Sequence, residues 1–481
     1  MTDSSATRLA ELIRTRAASP VEVVLAHLRR IEKLNPQLNA VVTVAPDALK
    51  RAREAEAQVR SGATLGALHG VPLTVKDTIE SLDLPTTSGS AVRAGYLAER
   101  DAPSVARLKA AGAILLGKTN VPEMGLTYET DNPVFGRTNN PHDPRRTPGG
   151  SSGGEAAAIC AGLSPAGLGS DLLGSIRIPA HFCGICGLKP TTGRVPSAGH
   201  FPPAIGPYSL GAALGPMARR VEDLSLLLSV ISGFNAPEPV SAPAGSMTGE
   251  RRLNLRGLGL AWYADDGVSP VTESTRLAVR AAAHALEEAG LNVTERLPPG
   301  VSRGQELWLA LFSRAIRGPL LATYAGREEE AGAFVRFMMG SLAAEPAPTL
   351  DEFTGAWAER DCLRAALVEW MKQTPLILAP VGATHAFEHG ARRVEVSGRM
   401  WSVFRAFSYS QTFNVFGLPA VSVPAGRSPE GLPIGVQIVG RPFEEAAVLA
   451  AAAVVEEALG GWQPPPLLPL LALSPEGHNP L

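Results

Sequence analysis

The chain is poor in cysteine and almost neutral in net charge. Four cysteines among 481 residues are too few for a disulfide framework in a chain of this size. The 44 basic and 46 acidic residues leave a formal charge of −2, and no long run of one sign marks a surface for nucleic acid. We therefore expect a small molecule, and no nucleic acid, as the partner of the functional site.

Long apolar segments are missing as well. No stretch approaches the roughly 20 apolar residues that a membrane helix needs. The first twenty residues, MTDSSATRLAELIRTRAASP, contain no basic region followed by an apolar run, which is the pattern of a secretory signal. The sequence therefore predicts no membrane association and a cytoplasmic location.

Two of the cysteines, Cys183 and Cys186, form a CGIC pair. Such a pair serves as a redox dithiol, as half of a zinc site, or as two buried structural residues. No second pair completes a tetrahedral set, since His181 is the one histidine close in sequence. His385 and His389, four residues apart, are interpreted as residues of a site mouth rather than as zinc ligands, because the HExxH pattern is missing. A buried structural role is favoured for the cysteines.

The residues that are present favour a large α/β protein. With 45% hydrophobic and 19% charged residues, the chain can bury a sizeable core. The apolar runs in 70–80 and 111–120 are typical of buried strands, and a helix is predicted between them, so a β-α-β unit and a mixed sheet follow. The pattern predicts helices over 1–60 and a mostly helical insertion over about 240–370. Strands predicted near the end of the chain then return to the same sheet, which favours one domain.

One segment cannot hold regular structure. Residues 139–154, NNPHDPRRTPGGSSGG, are dominated by proline, glycine and serine, and they lead into the helix-forming EAAAICAGL. The GGSSGG portion lacks the Gly-Lys-Ser/Thr ending of a phosphate-binding loop. Nucleophilic catalysis by a serine is the alternative use for such a loop.

A second serine, in SDLLGSIRIPA at 170–180, has the surroundings of a nucleophile. Gly174 precedes Ser175, so backbone N–H groups of this turn can form a nest for an anion beside the hydroxyl. No GxSxG elbow or suitable histidine accompanies it, but a buried lysine can act as base. Lys76 lies in the apolar run LTVKDTI. A salt bridge with Asp77 is the structural alternative, although adjacent strand residues face opposite ways.

Together, GVPLTVKDTIE and PGGSSGGEAAAICAGLSPAGLGSDLLGSIRIPAHFCGICGLKPTTGRVP resemble the amidase signature family. The resemblance is dense over 66–226 and continues more thinly in FNVFGLPAVSVPAG and GLPIGVQIVGRPF. It implies one α/β domain over 1–481, with a mixed, twisted sheet covered by helices on both faces. It also implies hydrolysis of carboxylic acid amides to acid and amine or ammonia, without metal or cofactor.

The resemblance assigns roles position by position. It implies Ser175 as the nucleophile, Ser151 as a relay that follows a cis peptide bond, and Lys76 as the base. The resemblance also implies an oxyanion hole formed by the backbone N–H groups of Leu172, Leu173, Gly174 and Ser175, and the supporting residues Ser152, Asp171 and Arg177. Met124 is a candidate for lining the substrate site, with core packing as the alternative.

The chain departs from the family at Leu173, where the family usually has glycine. This departure keeps a non-catalytic binding protein open as an alternative, although Lys76, Ser151 and Ser175 are all present. A second alternative is the glutaminase subunit of the tRNA-dependent amidotransferase. The apolar, glycine-rich stretch 199–217 favours instead an amidase that acts alone on uncharged amides, with a homodimer left open as its assembly.

Overall fold

The computed structural model describes residues 1–243, 253–344 and 346–466. The strands in these residues are β1 (Val41–Val44), β2 (Pro72–Lys76), β3 (Ile114–Thr119), β4 (Ala166–Asp171), β5 (Cys186–Lys189), β6 (Ala213–Ala218), β7 (Gly259–Trp262), β8 (Asn292–Glu295), β9 (Leu376–Pro380), β10 (Arg393–Val396), β11 (Arg399–Ser402), β12 (Ala420–Arg427) and β13 (Pro433–Gly440).

Helices lie between and beside these strands along the chain. They are α1 (Ala6–Arg14), α2 (Pro20–Leu38), α3 (Ala48–Ser61), α4 (Pro103–Ala110), α5 (Gly153–Cys160), α6 (Arg177–Cys183), α7 (Val221–Ile231), α8 (Glu273–Glu288), α9 (Gly304–Trp308), α10 (Arg317–Tyr324), α11 (Ala333–Ala344), α12 (Leu350–Trp370), α13 (Val403–Ala406), α14 (Ser408–Val415) and α15 (Glu445–Leu459).

Eleven of the described strands form one sheet in the order β1-β3-β2-β4-β6-β5-β12-β13-β9-β7-β8. The β2 strand is parallel to both β3 and β4, and β7 is parallel to β8 and β9, whereas the pairs between β4 and β9 are antiparallel. The sheet is therefore mixed, and the predicted fold class is confirmed.

Alternation along the strands explains why helices cover both faces. In β2, Leu73 and Val75 join a core with α1, α4, α7, α8 and α15. Thr74 points the other way and donates a hydrogen bond to Glu155 of α5. Because side chains alternate across a strand, Lys76 shares the face of Thr74. The lysine predicted as a base therefore lies on the side of the sheet where α5 packs.

Two parts of the chain contain strands beside the predicted helices. Residues 1–60 form α1, α2 and α3, but β1 lies between the last two and pairs with β3. Within 240–370, β7 and β8 extend the opposite end of the sheet. Residues 244–252, 345 and 467–481 of the domain predicted over 1–481 lie outside the described residues.

The parallel pairing of β2 and β4 fixes the location of the site. Thr74 pairs with Gly167 and Val75 with Leu168, so the two strands end side by side, at Lys76 and Asp171. Open α/β sheets bind ligands outside the carboxyl ends of such strands. None of the described helices is both long enough and apolar enough to cross a membrane.

Candidate active site

Lys76 is fully buried at the end of β2. Its Nζ lies 2.6 Å from Ser151 Oγ and 2.9 Å from Ser170 Oγ. Burial lowers the pKa of Lys76 to about 7, although the carboxylates of Asp171 and Glu155 act in the opposite direction. A substantial neutral fraction of the amine near pH 7 gives the site a base beside a serine hydroxyl.

Ser151 and Ser152 lie in the irregular segment just before α5. The Gly150–Ser151 peptide bond is cis, as the resemblance implies. Gly150 has no room for a side chain, because a Cβ there would lie 2.4 Å from the Thr127 carbonyl oxygen. The N–H of Ser152 donates to the Ser175 carbonyl at 3.1 Å, so this segment is fixed to the loop that carries the predicted nucleophile.

The loop from Leu172 to Ser175 turns the chain from β4 into α6. Gly174 has φ +99, and a Cβ at this position would lie 2.6 Å from Ser410 Cβ, so glycine is required there. Leu173 lies outside the left-handed region of φ, which means that its backbone tolerates a side chain. The leucine at the unusual position is therefore compatible with the loop.

A buried carboxylate holds this loop. Asp171 Oδ1 accepts from the Gly174 N–H at 2.8 Å, and Oδ2 accepts from the Ile176 N–H at 3.1 Å and from Arg177 Nε at 3.0 Å. Burial alone would raise the pKa of Asp171, but the charge and hydrogen bonds of Arg177 outweigh it and hold the pKa at about 2. Asp171 and Arg177 thus fix the backbone around Ser175.

The four backbone N–H groups expected to face an oxyanion differ in availability. The Gly174 N–H is engaged by Asp171, whereas in the described residues no acceptor bonds the N–H groups of Leu172, Leu173 or Ser175. Trp308 donates from Nε1 to the Leu172 carbonyl at 2.8 Å. Because the C=O and N–H of a trans peptide point in opposite directions, this bond also fixes the direction of the Leu173 N–H.

Ser151 and Ser175 face a cavity of about 90 Å³ whose floor also contains Lys76. Its walls are mainly apolar. The wall residues contributed by 199–217 include Pro202, Pro203, Ala204, Ala212, Ala213 and Leu214, and those contributed elsewhere include Met124, Leu172, Leu173 and Ile316. The charged side chains in the lining are Lys76 and Asp171, and Asp171 is already paired with Arg177. The site is therefore shaped for an uncharged group.

Three residues that the sequence analysis considered for the site have other partners in the structure. Asp77 pairs with the buried Lys118 at 3.5 Å rather than with Lys76. The interpretation of His385 and His389 as residues of the site mouth is wrong: neither lines this cavity, and they contact Glu430 and Glu129.

The cysteines of the CGIC pair are buried free thiols. Among the described residues, no group of three or more His, Cys, Asp or Glu side chains is arranged to hold a metal ion.

Sequence reasoning missed four polar residues of the site. Ser170 and His200 lie beside Lys76, with His200 Nε2 2.9 Å from Ser170 Oγ. Asn414 and Gln437 accept from the two terminal nitrogens of Arg177 at 2.7 and 2.8 Å. Asn414 and Gln437 fall within the two later stretches that resemble the family, so the sequence signal for them was present, but their partners depend on the fold.

The chain is similar to known amide hydrolases over most of its length. A profile of the Amidase family matches residues 22–449. The chain is 36% identical over 450 residues to an indoleacetamide hydrolase of Bradyrhizobium diazoefficiens, covering 92% of this chain and 84% of the relative. It is 34% identical over 495 residues to the fatty-acid amide hydrolase 2-A of Danio rerio, covering 96% and 90%.

The fold is similar to solved structures of amide hydrolases over nearly the whole chain. A bacterial aryl acylamidase of the amidase signature family superposes with a TM-score of 0.86 at 28% identity, covering 98% of this chain and 99% of that one. The 6-aminohexanoate cyclic dimer hydrolase in complex with its substrate gives a TM-score of 0.85 at 31% identity, covering 97% and 99%. The chain belongs to the amidase signature family. It is an amidase, an enzyme that hydrolyses the C–N bond of carboxylic acid amides.

We expect Asp171→Asn to destabilise the protein by about 3 to 5 kcal/mol at pH 7, because it leaves the charge of Arg177 buried without a partner. The pKa of Asp171 is depressed in the folded state, so its contribution is complete above the ordinary aspartate value. The deficit of the variant should therefore shrink as the pH falls through about 2. Urea unfolding at several pH values measures it.

The matched control removes both charges. In Asp171→Asn/Arg177→Met no unpaired ion remains, and the double variant should recover part of the lost free energy of unfolding. Equal or greater destabilisation in the double variant would contradict a dominant role for the ion pair.

Proposed function

We propose that this amidase hydrolyses amides with an uncharged, apolar acyl group through an acyl-enzyme on Ser175, with Ser151 as relay and Lys76 as base. The observation that carries the proposal is the 2.6 Å contact between Lys76 Nζ and Ser151 Oγ at the floor of an apolar cavity that Ser175 also lines. Ser152, Asp171 and Arg177 hold the backbone of both serine segments.

In the first half of the reaction, neutral Lys76 takes the proton of Ser151 while Ser151 takes the proton of Ser175. Ser175 Oγ forms a bond to the amide carbon, and the carbonyl becomes an oxyanion. The N–H groups of Leu172, Leu173 and Ser175, which have no acceptor among the described residues, can stabilise that charge, each well-placed donor contributing about 3 to 4 kcal/mol. Collapse of the intermediate breaks the C–N bond, and the proton returns through Ser151 to the departing nitrogen.

In the second half, water takes the place of the amine. Its proton passes along the same relay to Lys76 while its oxygen bonds to the acyl carbon, and cleavage of the ester bond returns a proton to Ser175. The products are a carboxylic acid and an amine or ammonia. Every proton is exchanged within the relay, so the sequence of steps balances without a metal or cofactor.

The apolar walls support the choice of acyl group. Burying apolar surface contributes about 25 cal/mol per Å², whereas a charged group would lose its hydration in this cavity without a free partner. Two relatives are named as hydrolases of indoleacetamide and of fatty-acid amides. Both kinds of amide have apolar acyl groups. A hydrolysis screen over primary amides with short aliphatic, long aliphatic, aryl and charged acyl groups tests the proposal, which fails if the amides with charged acyl groups are preferred.

A second candidate is the glutaminase subunit of an amidotransferase. Its basis is a 35% identity over 456 residues to a glutamyl-tRNA(Gln) amidotransferase subunit of Chloroflexus aurantiacus, covering 89% of this chain and 91% of the relative. Against it, the described residues of the cavity offer no cation besides Lys76 for the carboxylate of glutamine. A glutaminase assay with and without partner subunits separates the two. A homodimer and a cytoplasmic location stay predictions from the sequence.

Ser175→Ala should abolish turnover and labelling by a serine-reactive phosphonate, because the acyl-enzyme can no longer form. A loss of at least about 10³-fold in kcat is expected for removal of a nucleophile. Ser152→Ala is the control, because it removes the hydroxyl of the serine next to Ser151, and it should keep measurable activity. Stoichiometric labelling of Ser175→Ala at another serine would exclude Ser175 as the nucleophile, and an unlabelled wild type would favour a binding protein.

The activity should rise with pH through about 7, because Lys76 acts in its neutral form and its pKa is lowered to about 7 by burial. Lys76→Ala should lose about 10² to 10⁴-fold in kcat/KM together with this acid limb. Lys118→Met removes a second fully buried lysine, one outside the cavity. It should lower thermal stability without moving the limb. If Lys76→Ala kept the acid limb of the wild-type pH profile, Lys76 would not be the base of the mechanism.

Leu173→Gly should improve kcat/KM for bulky branched or aryl amides more than for short linear ones. The side chain is 5% exposed and lines the cavity, so its removal enlarges the acyl site without changing the backbone N–H. One apolar group in a pocket shifts discrimination by about 1 to 3 kcal/mol, which corresponds to roughly tenfold or more. A series of amides graded by acyl size measures this. Equal changes across the series would assign Leu173 to the oxyanion hole or to stability.

A further inference from the structure

His200 lies in the cavity wall, next to Ser170, one of the two serines whose hydroxyls contact Lys76. Its Nε2 is 2.9 Å from Ser170 Oγ, and its Nδ1 is 2.7 Å from the Pro202 carbonyl oxygen. Ser170 Oγ is in turn 2.9 Å from Lys76 Nζ. A continuous chain of polar atoms therefore runs from the Pro202 carbonyl through the imidazole and the Ser170 hydroxyl to the amine.

The directions of these hydrogen bonds follow from the Pro202 carbonyl, which can only accept. The His200 Nδ1 therefore carries a hydrogen and donates to it. Burial and the charge of Lys76 lower the pKa of His200 to about 4, so the ring is neutral at the pH values where an amidase is assayed. In a neutral ring with hydrogen on Nδ1, Nε2 has a lone pair and accepts. The Ser170 hydroxyl must therefore donate to His200.

The orientation of Ser170 decides what the amine can do. Since its single hydrogen is directed to His200, Ser170 Oγ receives an N–H of Lys76 as an acceptor. A neutral amine has two N–H groups and one lone pair. With an N–H directed to Ser170 Oγ, and the Ser170 carbonyl 3.5 Å away as a further acceptor, the lone pair is left for Ser151 Oγ at 2.6 Å.

We propose that His200 is a positioning residue, which acts through Ser170 to direct the lone pair of Lys76 toward Ser151. The inference rests on the proposed function, because it assumes Lys76 as the base. Without His200, the Ser170 hydroxyl is free to donate to the lone pair of Lys76 and so to compete with Ser151. The titratable groups that face Lys76 from the packed elements are Asp171 of β4 and Glu155 of α5. Burial raises the pKa of Glu155 to about 7, and neither carboxyl group contacts His200 by a hydrogen bond.

The loss of His200 has a predictable sign on the pH profile. A hydroxyl that accepts from Lys76 favours the ammonium form, whereas a hydroxyl that donates to it favours the neutral amine. In His200→Phe an apolar ring replaces the imidazole and fills its space, so water is not admitted to the lysine. The acid limb of kcat/KM should therefore move to lower pH while the plateau falls by about 10 to 100-fold. A change that only loosened the fold would lower the plateau without this shift.

The test is a cycle of His200→Phe, Ser170→Ala and the double variant, each measured for kcat, KM and pH profile. The fall should be in kcat, with KM changed by less than about threefold, and the double variant should be no slower than the slower single variant, because both act at one hydrogen bond. His200→Gln keeps an acceptor for Ser170 and a donor for Pro202, so it should restore most of kcat and the wild-type limb. His385→Phe, a change at a histidine outside the cavity, should leave both unchanged.

The inference is overturned if the losses of the single variants multiply in the double variant, if His200→Phe keeps wild-type kcat, or if its acid limb does not move. Thermal unfolding identifies a variant that fails to fold, in which case His200→Leu replaces His200→Phe in the cycle. Ser175→Ala and Lys76→Ala are assayed in parallel. Activity in either of them overturns the proposed function, whereas their inactivity beside an unaffected His200→Phe overturns the role of His200 alone.

Discussion

The buried ion pair of Asp171 and Arg177 is the interaction on which the site depends. Both side chains are fully buried, and Asp171 also bonds two N–H groups of the loop that contains Ser175. Arg177 extends the network to Asn414 of α14 and Gln437 of β13. Elements distant in sequence are thus fixed to one turn. A buried ion pair adds little to stability compared with apolar packing, so its value here lies in the definition of backbone geometry.

In the proposed mechanism, the same network also affects the oxyanion. Asp171 would repel a negative charge that develops at the amide carbonyl, but Arg177 neutralises it, and the depressed pKa of Asp171 keeps the pair charged over the working range. The Gly174 N–H is used to hold the carboxylate, and the carbonyls of Leu172 and Leu173 are anchored by Trp308 and Tyr128. The peptide planes are therefore oriented before a substrate arrives, as electrostatic preorganisation requires.

How much of this is predictable from the sequence varies with the range of the interaction. The parallel strands β2, which contains Lys76, and β3 were predictable, because their apolar runs are continuous and bounded by glycine or proline. Four-residue strands such as β1 and β7 were not, since so short a run has no measurable period. Their strand form comes from pairing with β3 and β9, and pairing is a property of the fold.

The polar residues of the site divide in the same way. Lys76 was suspected because a lysine in an apolar run has no local partner, and its separation from Asp77 followed from strand alternation. Ser170 near the end of β4 and His200 in a loop gave no such signal, because neither residue is unusual in its local sequence and their hydrogen bond joins positions 30 residues apart. The partner of an N–H such as that of Gly174 is equally invisible in a sequence.

The substitution at Leu173 shows how the backbone and the side chain of one residue can serve different functions. Positive φ is required at Gly174 and not at Leu173, so the residue at 173 can change without altering the turn. Its N–H direction is set by the bond from Trp308 to the preceding carbonyl, which does not involve the leucine side chain. That side chain is then free to shape the acyl cavity. A site that stabilises charge with backbone N–H groups can in this way change the walls of its cavity at the residues that supply those groups.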